Sequence, residues 1–264
     1  MFTFKQPIKS LRPALILGTL CLSTLVGTVA ITSTVEAQRG QSYGLGMSGS
    51  SVQGGAIRGD LPSVLLLVPP DGARTLSARP TLYWYVSANE NENRSGFKMR
   101  LYLRENPTQE AKNLFDVQGS GKEVGLYKFT LPSSAPSLVE GKVQRLQLRW
   151  KRGLDDVNLN ALVLLDKDPK VVKALSESSS GLEKARILAK ERYWYDALDA
   201  YSQWIEAHPK DDVAIKERKA LLTEGLNLKS NEQDPEKKKK ADENIQMLLC
   251  KISQSSTPLQ IKLP

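Results

Sequence analysis

Histidine and cysteine are nearly absent from this sequence of 264 residues, which contains one histidine and two cysteines. The histidine, His208, directly precedes Pro209 at the expected end of a helix, where an imidazolium interacts favourably with the last carbonyl groups. A catalytic triad and a histidine-rich metal site both require more than this residue offers. We therefore predict no catalytic residue, no metal site and no cofactor, and we interpret the chain as a non-enzymatic protein.

The first 37 residues contain the three regions of a secretory signal. Lys5, Lys9 and Arg12 supply positive charge, residues 14–31 form an apolar run, and Ala37 ends a small-residue cleavage site. Glycine, serine and threonine interrupt the apolar run, which favours a cleaved signal over a permanent anchor. We therefore predict a signal peptide over residues 1–37, an exported chain in the periplasm or outside the cell, and no stable membrane span after cleavage.

Cysteine usage follows from this export prediction. Cys21 lies inside the signal, so Cys250 alone is expected in the mature chain and no intramolecular disulfide can form there. Cys250 falls on the apolar side of the last predicted helix, which favours a buried structural thiol. The alternative is an exposed thiol that links two copies of the chain.

The residues after the signal change from flexible to β-rich composition. Residues 38–60 are dominated by glycine and serine and predict a disordered leader. Residues 61–167 contain short apolar-polar alternations separated by turn signals, and no helix-length segment interrupts them. This pattern predicts an antiparallel immunoglobulin-like β-sandwich, with Gly119, Gly121, Asp155 and Asp156 in turns. The predicted strands cover residues 63–68, 81–87, 97–104, 113–117, 125–131, 142–151 and 161–166.

Helical periodicity replaces the alternation after residue 167. Asp168 is a suitable N-cap followed by Pro169, and apolar residues then recur at helical spacing through residues 168–229. Asp234 and Pro235 repeat the same start signal within residues 230–264, which we interpret as a charged linker and a C-terminal helix. The predicted fold class is therefore α+β in two segregated parts, the sandwich followed by an α-helical hairpin array.

Two resemblances accompany this pattern. Ala197, Tyr201 and Pro209 have the spacing found in the second helix of a tetratricopeptide repeat, so the helical part resembles that family in one copy. The segments PPDGARTLSARP (69–80), TLYWYV (81–86) and YWYDAL (193–198) resemble the cyanobacterial family known as Domain of Unknown Function 928. That resemblance covers about residues 62–228 and implies an exported protein with a sandwich followed by helices. It implies no catalytic residues.

Two aromatic groups are the most conspicuous candidate surfaces. Strand alternation directs Tyr83 and Tyr85 away from Trp84, while Tyr193, Trp194 and Tyr195 cover a broad helix face. We interpret these residues as an interface that joins the helices to the sheet. The alternative is a shelf of rings that binds sugars or peptides.

Charged residues complete the candidates. Asp155, Asp156, Asp166, Asp168, Glu90 and Glu92 form the acidic clusters, and residues 237–240 are four consecutive lysines. The formal net charge of +8 becomes +6 (34 basic minus 28 acidic residues) once residues 1–37 are removed, an excess that is mild. Both signs are interleaved along the chain, which argues against a nucleic-acid partner. The leading hypothesis is an extracytoplasmic module that binds or scaffolds a protein or glycan of the envelope. The alternative is an envelope carbohydrate-active hydrolase with paired carboxylates.

Overall fold

The computed structural model describes residues 43–46, 64–87, 96–108, 110–152 and 155–263, which belong to one compact unit. The predicted signal peptide and most of the predicted leader lie outside the described residues. Within the described part of the chain, no helix is both long and apolar enough to cross a membrane.

The described residues form nine strands and five helices, with β-sheet structure mainly in the N-terminal part and helices in the C-terminal part. The strands are β1 (Val64–Leu66), β2 (Ala73–Thr75), β3 (Thr81–Val86), β4 (Phe97–Arg104), β5 (Asn113–Gly121), β6 (Gly125–Thr130), β7 (Val143–Arg152), β8 (Asp155–Leu165) and β9 (Leu259–Gln260). The helices are α1 (Pro169–Glu177), α2 (Gly181–Lys190), α3 (Trp194–Ala207), α4 (Asp212–Leu226) and α5 (Pro235–Gln254). The mixed α+β content is confirmed.

The strands form two sheets with the orders β1-β3-β6-β9 and β2-β8-β7-β4-β5. Most neighbours are antiparallel, but β2 pairs with β8 and β9 pairs with β6 in parallel. The prediction of a wholly antiparallel fold is therefore wrong at these two edges. Both exceptions are strands of two or three residues, which are too short to carry an alternation signal.

An aromatic cluster joins the two sheets. Trp84 on β3 stacks on Tyr127 of β6 with ring centroids 5.7 Å apart. Phe97, from the other sheet, contacts Tyr127 at 5.3 Å and Trp150 of β7 at 5.8 Å. The face of the four-stranded sheet that carries Trp84 is therefore turned toward the five-stranded sheet.

The two sheets differ in how much of their surface is covered. All six residues of β3 are buried, so both faces of the four-stranded sheet are covered at its centre. Buried and more exposed residues alternate along β4, so the five-stranded sheet buries one face there and leaves the other accessible. Helix α3 packs against β2 and β3. The outward face of β4 is therefore accessible along most of its length in the described part of the chain.

Four helices begin at capped N-termini. The Asp168 side chain accepts a hydrogen bond from the Lys170 backbone N–H, and Asp234 accepts from Glu236 and Lys237. These two contacts confirm the helix starts predicted from Asp-Pro pairs. Ser180 and Asp211 cap α2 and α4 in the same way.

Two predicted turns were wrong. Gly119 and Gly121 lie in β5 and not in a turn, because both permit close packing: a Cβ on Gly119 would lie 2.9 Å from Ile261 and one on Gly121 2.5 Å from Phe97. Asp155 and Asp156 begin β8. Tyr43, inside the predicted leader, is buried and packs its ring 5.2 Å from that of Trp194.

Candidate functional site

The predicted aromatic residues lie at the junction between α3 and the sheets. The Trp194 indole N–H donates to the Leu67 carbonyl at 3.0 Å, and the Tyr195 hydroxyl donates to the Leu162 carbonyl at 2.9 Å. The Tyr83 hydroxyl donates to Asp199 of α3 at 2.7 Å. Each side chain therefore combines burial of an aromatic ring with one polar contact across the junction.

Tyr193 and Tyr85 complete this group. The Arg74 guanidinium lies over the Tyr193 ring, 4.8 Å from its centroid. Burial raises the pKa of the Tyr85 hydroxyl. The exposed fraction of all five predicted aromatic residues is 7% or less, so none of their rings presents an open face to a sugar or peptide.

Asp196 is a carboxylic acid in this junction that sequence reasoning missed. Its side chain accepts a hydrogen bond from the Leu76 backbone N–H at 2.9 Å. Burial raises its pKa to about 6, although the bonds from Leu76 and Thr75 act in the opposite direction. Because Leu76 follows β2 and Asp196 lies in the first turn of α3, the carboxyl group fixes the sheet edge to the helix.

Replacement of Asp196 by asparagine is expected to remove a pH-dependent component of stability. Its folded-state pKa lies above the ordinary 3.8, so the folded chain binds the proton more tightly than the unfolded chain. Protonation of this carboxyl group therefore stabilises the fold by about 2 kcal/mol as pH falls from about 6 toward 4. Above that window the buried carboxylate is ionised, and the full cost of burying its charge is present. Urea unfolding near pH 7 and near pH 4.5 should show this gain in the wild type and not in the variant. Equal pH dependence in both proteins would contradict the assignment.

The predicted acidic clusters are separated into individual contacts. Asp156 accepts two hydrogen bonds from Arg149, at 3.0 and 2.8 Å, and these lower its pKa. Asp166 pairs with Arg74 at 3.0 Å, and Asp168 caps α1. Glu90, Glu92 and the Asp155 side chain lie outside the described residues. Among the side chains that are described, no three His, Cys, Asp or Glu residues come together as a metal site.

The remaining predicted residues lie on helices. His208 stacks on Trp204 with ring centroids 3.9 Å apart, and its Nδ1 lies 3.0 Å from the Trp204 carbonyl oxygen. Cys250 is partly exposed on α5, and its thiol is free. Lysines 237–240 are exposed on the first turns of the same helix.

The accessible face of the five-stranded sheet carries an array of cations. We define the cationic face as the outward residues of β4 and β7, which are Lys98, Arg100, Tyr102, Arg104, Arg145, Gln147, Arg149 and Lys151. The strand register places Lys98 opposite Lys151, Arg100 opposite Arg149 and Arg104 opposite Arg145. Tyr102 faces Gln147 between the second and third of these pairs. The face therefore contains three cross-strand pairs of like charge.

Neighbouring groups hold these side chains in place. Arg100 forms an ion pair with Asp116 of β5, and Arg149 forms one with Asp156 of β8. The guanidinium groups of Arg100 and Arg104 lie 5.1 and 4.9 Å from the centre of the Tyr102 ring.

Arg104 and Arg145 have a different environment from the other two cation pairs. Arg104 donates to Gln147 at 3.1 Å and to the Ala111 carbonyl at 3.3 Å. Arg145 is buried, and this burial, together with the charge of Arg104, lowers its pKa. In the third pair Arg104 is therefore half-buried and Arg145 is buried.

Sequence reasoning missed this face because charge was counted along the chain. Interleaved signs suggested an evenly charged surface, and that interpretation is wrong for this sheet. Strand alternation sends every second residue of β4 and β7 to the same side, and the register places cations next to one another. The signal available in the sequence was the pattern of Lys and Arg at alternate positions in 98–104 and 145–151.

A family model supplies the relationship to known proteins. The model described as Domain of Unknown Function (DUF928) matches residues 53–236. The chain belongs to this family. No curated protein matches the chain.

The residues matched by the DUF928 model include the cationic face but not all of the cavity beside it. Strands β4 and β7, which carry the cationic face, lie within the matched residues, whereas β9 lies outside them. A cavity of about 310 Å³ adjoins the face at Lys98, and β9 contributes to its wall. Lys122, Lys262 and Glu123 also line this cavity, so its three lysines and one carboxylate continue a net positive charge beyond the sheet face.

Proposed function

We propose that this DUF928 chain is a non-enzymatic, exported module that binds a glycan or protein partner of the cell envelope. The observation that carries the proposal is the cationic face, a surface two strands wide whose residues, apart from the buried Arg145, are at least partly accessible. Burial of the predicted aromatic residues supports a structural role for the helix junction. We therefore propose the cationic face, and not the aromatic residues, as the binding surface. The cell envelope, and an origin in cyanobacteria, stay predictions from the sequence.

The proposal includes a finer description of the fold. The aromatic contacts of Trp84, Phe97 and Tyr127 support an immunoglobulin-like sandwich, in which the two sheets share one apolar layer. Ala185 and Ala197 are fully buried on α2 and α3, which pack against each other. Such small residues allow close helix approach, which supports a tetratricopeptide-like hairpin. The helical array then acts as a support that packs against both sheets, at β3 and at β2 and β8, and leaves β4 and β7 available.

Retention of envelope components on the immobilised protein tests this function. We expect the wild type to retain a polysaccharide or protein from an envelope fraction. We expect the double variant Arg100→Gln, Arg149→Gln to lose it, because both substitutions remove charge at the centre of the face. Replacement of Lys237 and Lys239 by Gln removes the same charge from exposed positions on α5 and should leave retention unchanged.

Two results would contradict the proposal. The first is equal retention by the wild type and the face variant. The second is a hydrolytic activity toward envelope glycans that disappears when one acidic residue is replaced and the fold is intact. Cell fractionation tests export separately, and a full-length precursor confined to the cytosol would contradict it.

A further inference from the structure

We infer that the cationic face binds a linear acidic polysaccharide, whose carboxylate or sulfate groups lie along the seam between β4 and β7. This inference rests on the proposed binding function and names its ligand class. It follows from the register of the two strands and from the groups that surround them.

Like charges directly opposite each other on neighbouring strands destabilise a sheet. Here this arrangement occurs three times on one strand pair, at Lys98 with Lys151, Arg100 with Arg149 and Arg104 with Arg145. Six cations therefore face the same side. Among the described side chains that share this face on β5 and β8, the carboxylates are Asp116 and Asp156. The excess of positive charge is reduced most directly by an external anion.

The spacing of the cations favours an extended ligand. Side chains on one face of a strand recur about every 6.8 Å, so the rows from Lys98 to Arg104 span roughly 20 Å. The cation pairs lie in rows across two adjacent strands, and the cavity at Lys98 extends the positive surface at one end. A flexible chain with repeated anionic groups can contact the rows at Lys98 and at Arg100 and reach Arg104, whereas Arg145 is buried. Guanidinium groups suit such a ligand because their planar donors can bind carboxylate or sulfate oxygens in pairs.

The same face is poorly suited to single-stranded nucleic acid. Proteins that bind single strands use aromatic rings on which successive bases stack. Tyr102 is the aromatic residue among the eight that define the face, and its ring already contacts the guanidinium groups of Arg100 and Arg104. The Tyr102 ring is therefore occupied by these two guanidinium groups and is not free to stack on a base.

The face also lacks the apolar side chains that would enter a lipid surface. Peripheral membrane binding combines basic residues with buried apolar area. The large apolar side chains that are exposed in the described residues lie outside β4 and β7, although Val124 and Leu263 neighbour Glu123 and Lys262 of the adjoining cavity. The outward positions of β4 and β7 carry cations, Tyr102 and Gln147. A soluble polyanion therefore fits the surface better than a membrane.

Binding of defined polymers tests the inference. Polygalacturonate provides repeated carboxylates, dextran sulfate provides sulfates, and dextran is the neutral control. We expect the purified protein to bind both acidic polymers and not dextran, with affinity that falls as salt is added. We expect Arg100→Gln with Arg149→Gln to weaken binding by at least about tenfold, since each guanidinium supplies charge-assisted hydrogen bonds. Lys98→Gln with Lys151→Gln, at two exposed positions, should weaken binding in the same direction and provides a second variant if the first unfolds.

Matched controls separate a specific face from general charge attraction. Lys237→Gln with Lys239→Gln should change the affinity less than about twofold, because it removes equal charge from outside the face. An equal loss in this variant would overturn the inference. Tighter binding of oligothymidylate than of either polysaccharide would assign the face to nucleic acid, and binding only to phosphatidylglycerol vesicles would assign it to a membrane.

A further outcome distinguishes this inference from the proposed function. If neither acidic polymer binds but the face variant still loses an envelope component, the ligand class is wrong and the binding function stands. If the protein retains neither these polymers nor any envelope component, both fail.

Discussion

Replacement of Gly225 by leucine is expected to lower the free energy of unfolding by about 4 kcal/mol or more. The new side chain would overlap Trp194 of α3, and α4 would have to move away from that ring. A Cβ at this position would lie 1.9 Å from Cζ3 of Trp194. Trp194 cannot withdraw, because its side chain is fully buried and its indole N–H donates to Leu67. The gain in helix propensity on replacing glycine, about 1 kcal/mol, is too small to compensate.

The exposed residue Ala220 on the same helix provides the matched control. Ala220→Leu adds similar bulk where the chain meets solvent, and we expect a change within about 0.5 kcal/mol. Urea unfolding followed by tryptophan fluorescence measures both variants. Similar stability of the two variants would show that Gly225 is not required for the packing of α4 against Trp194.

The second large effect is expected at Arg218, a buried cation on α4 whose guanidinium contacts the C-terminal end of α5. One terminal nitrogen of Arg218 donates to the carbonyl oxygens of Ile252, Ser253 and Ser255, at distances of 3.3, 2.5 and 2.8 Å. The other donates to the Ser202 hydroxyl at 3.4 Å. These acceptors lie near a helix C-terminus, where a positive charge is favourable. Burial nevertheless lowers the pKa of Arg218 to about 10, so the group stays charged at neutral pH.

Arg218→Ala is expected to cost about 3 kcal/mol, because it leaves buried carbonyl groups without donors and opens a cavity. Lys216→Ala, at an exposed position on α4, should change stability by less than about 0.5 kcal/mol. Chemical unfolding measures the loss. Hydrogen exchange should also increase at β9, because the chain from α5 to β9 begins at the turn that Arg218 holds. Unchanged stability and unchanged exchange would show that Arg218 is not a structural link.

The sequence predicted some elements because their signals are local. Alternation along 97–104 identified β4, and two Asp-Pro pairs identified the starts of α1 and α5. These features depend on a single strand or a single helix turn. They require no knowledge of what packs against them.

Other features depend on contacts between distant segments, so the sequence could not provide them. Strand β9 has two residues and exists because it pairs with β6. Gly119 resembles a turn residue, but Ile261 packs against it. The cationic face depends on the register between β4 and β7, since a shift by one residue would turn one strand's cations to the other side. The sequence therefore contained the alternation of cations on each strand, whereas their pairing across β4 and β7 required the structure.

Protection of engineered thiols would test the central claim, that the open face of the five-stranded sheet is the binding surface. Gln118 and Asn158 are exposed on the strands that flank the cationic face, and Thr223 is exposed on α4. In a Cys250→Ser background, each is replaced by cysteine and alkylated with and without polygalacturonate. With the polymer at about ten times its Kd, we predict that it slows alkylation at positions 118 and 158 by about tenfold, because a bound ligand lying across the face excludes the reagent, and leaves position 223 unchanged. Protection at position 223 without protection at 118 and 158 would contradict the account.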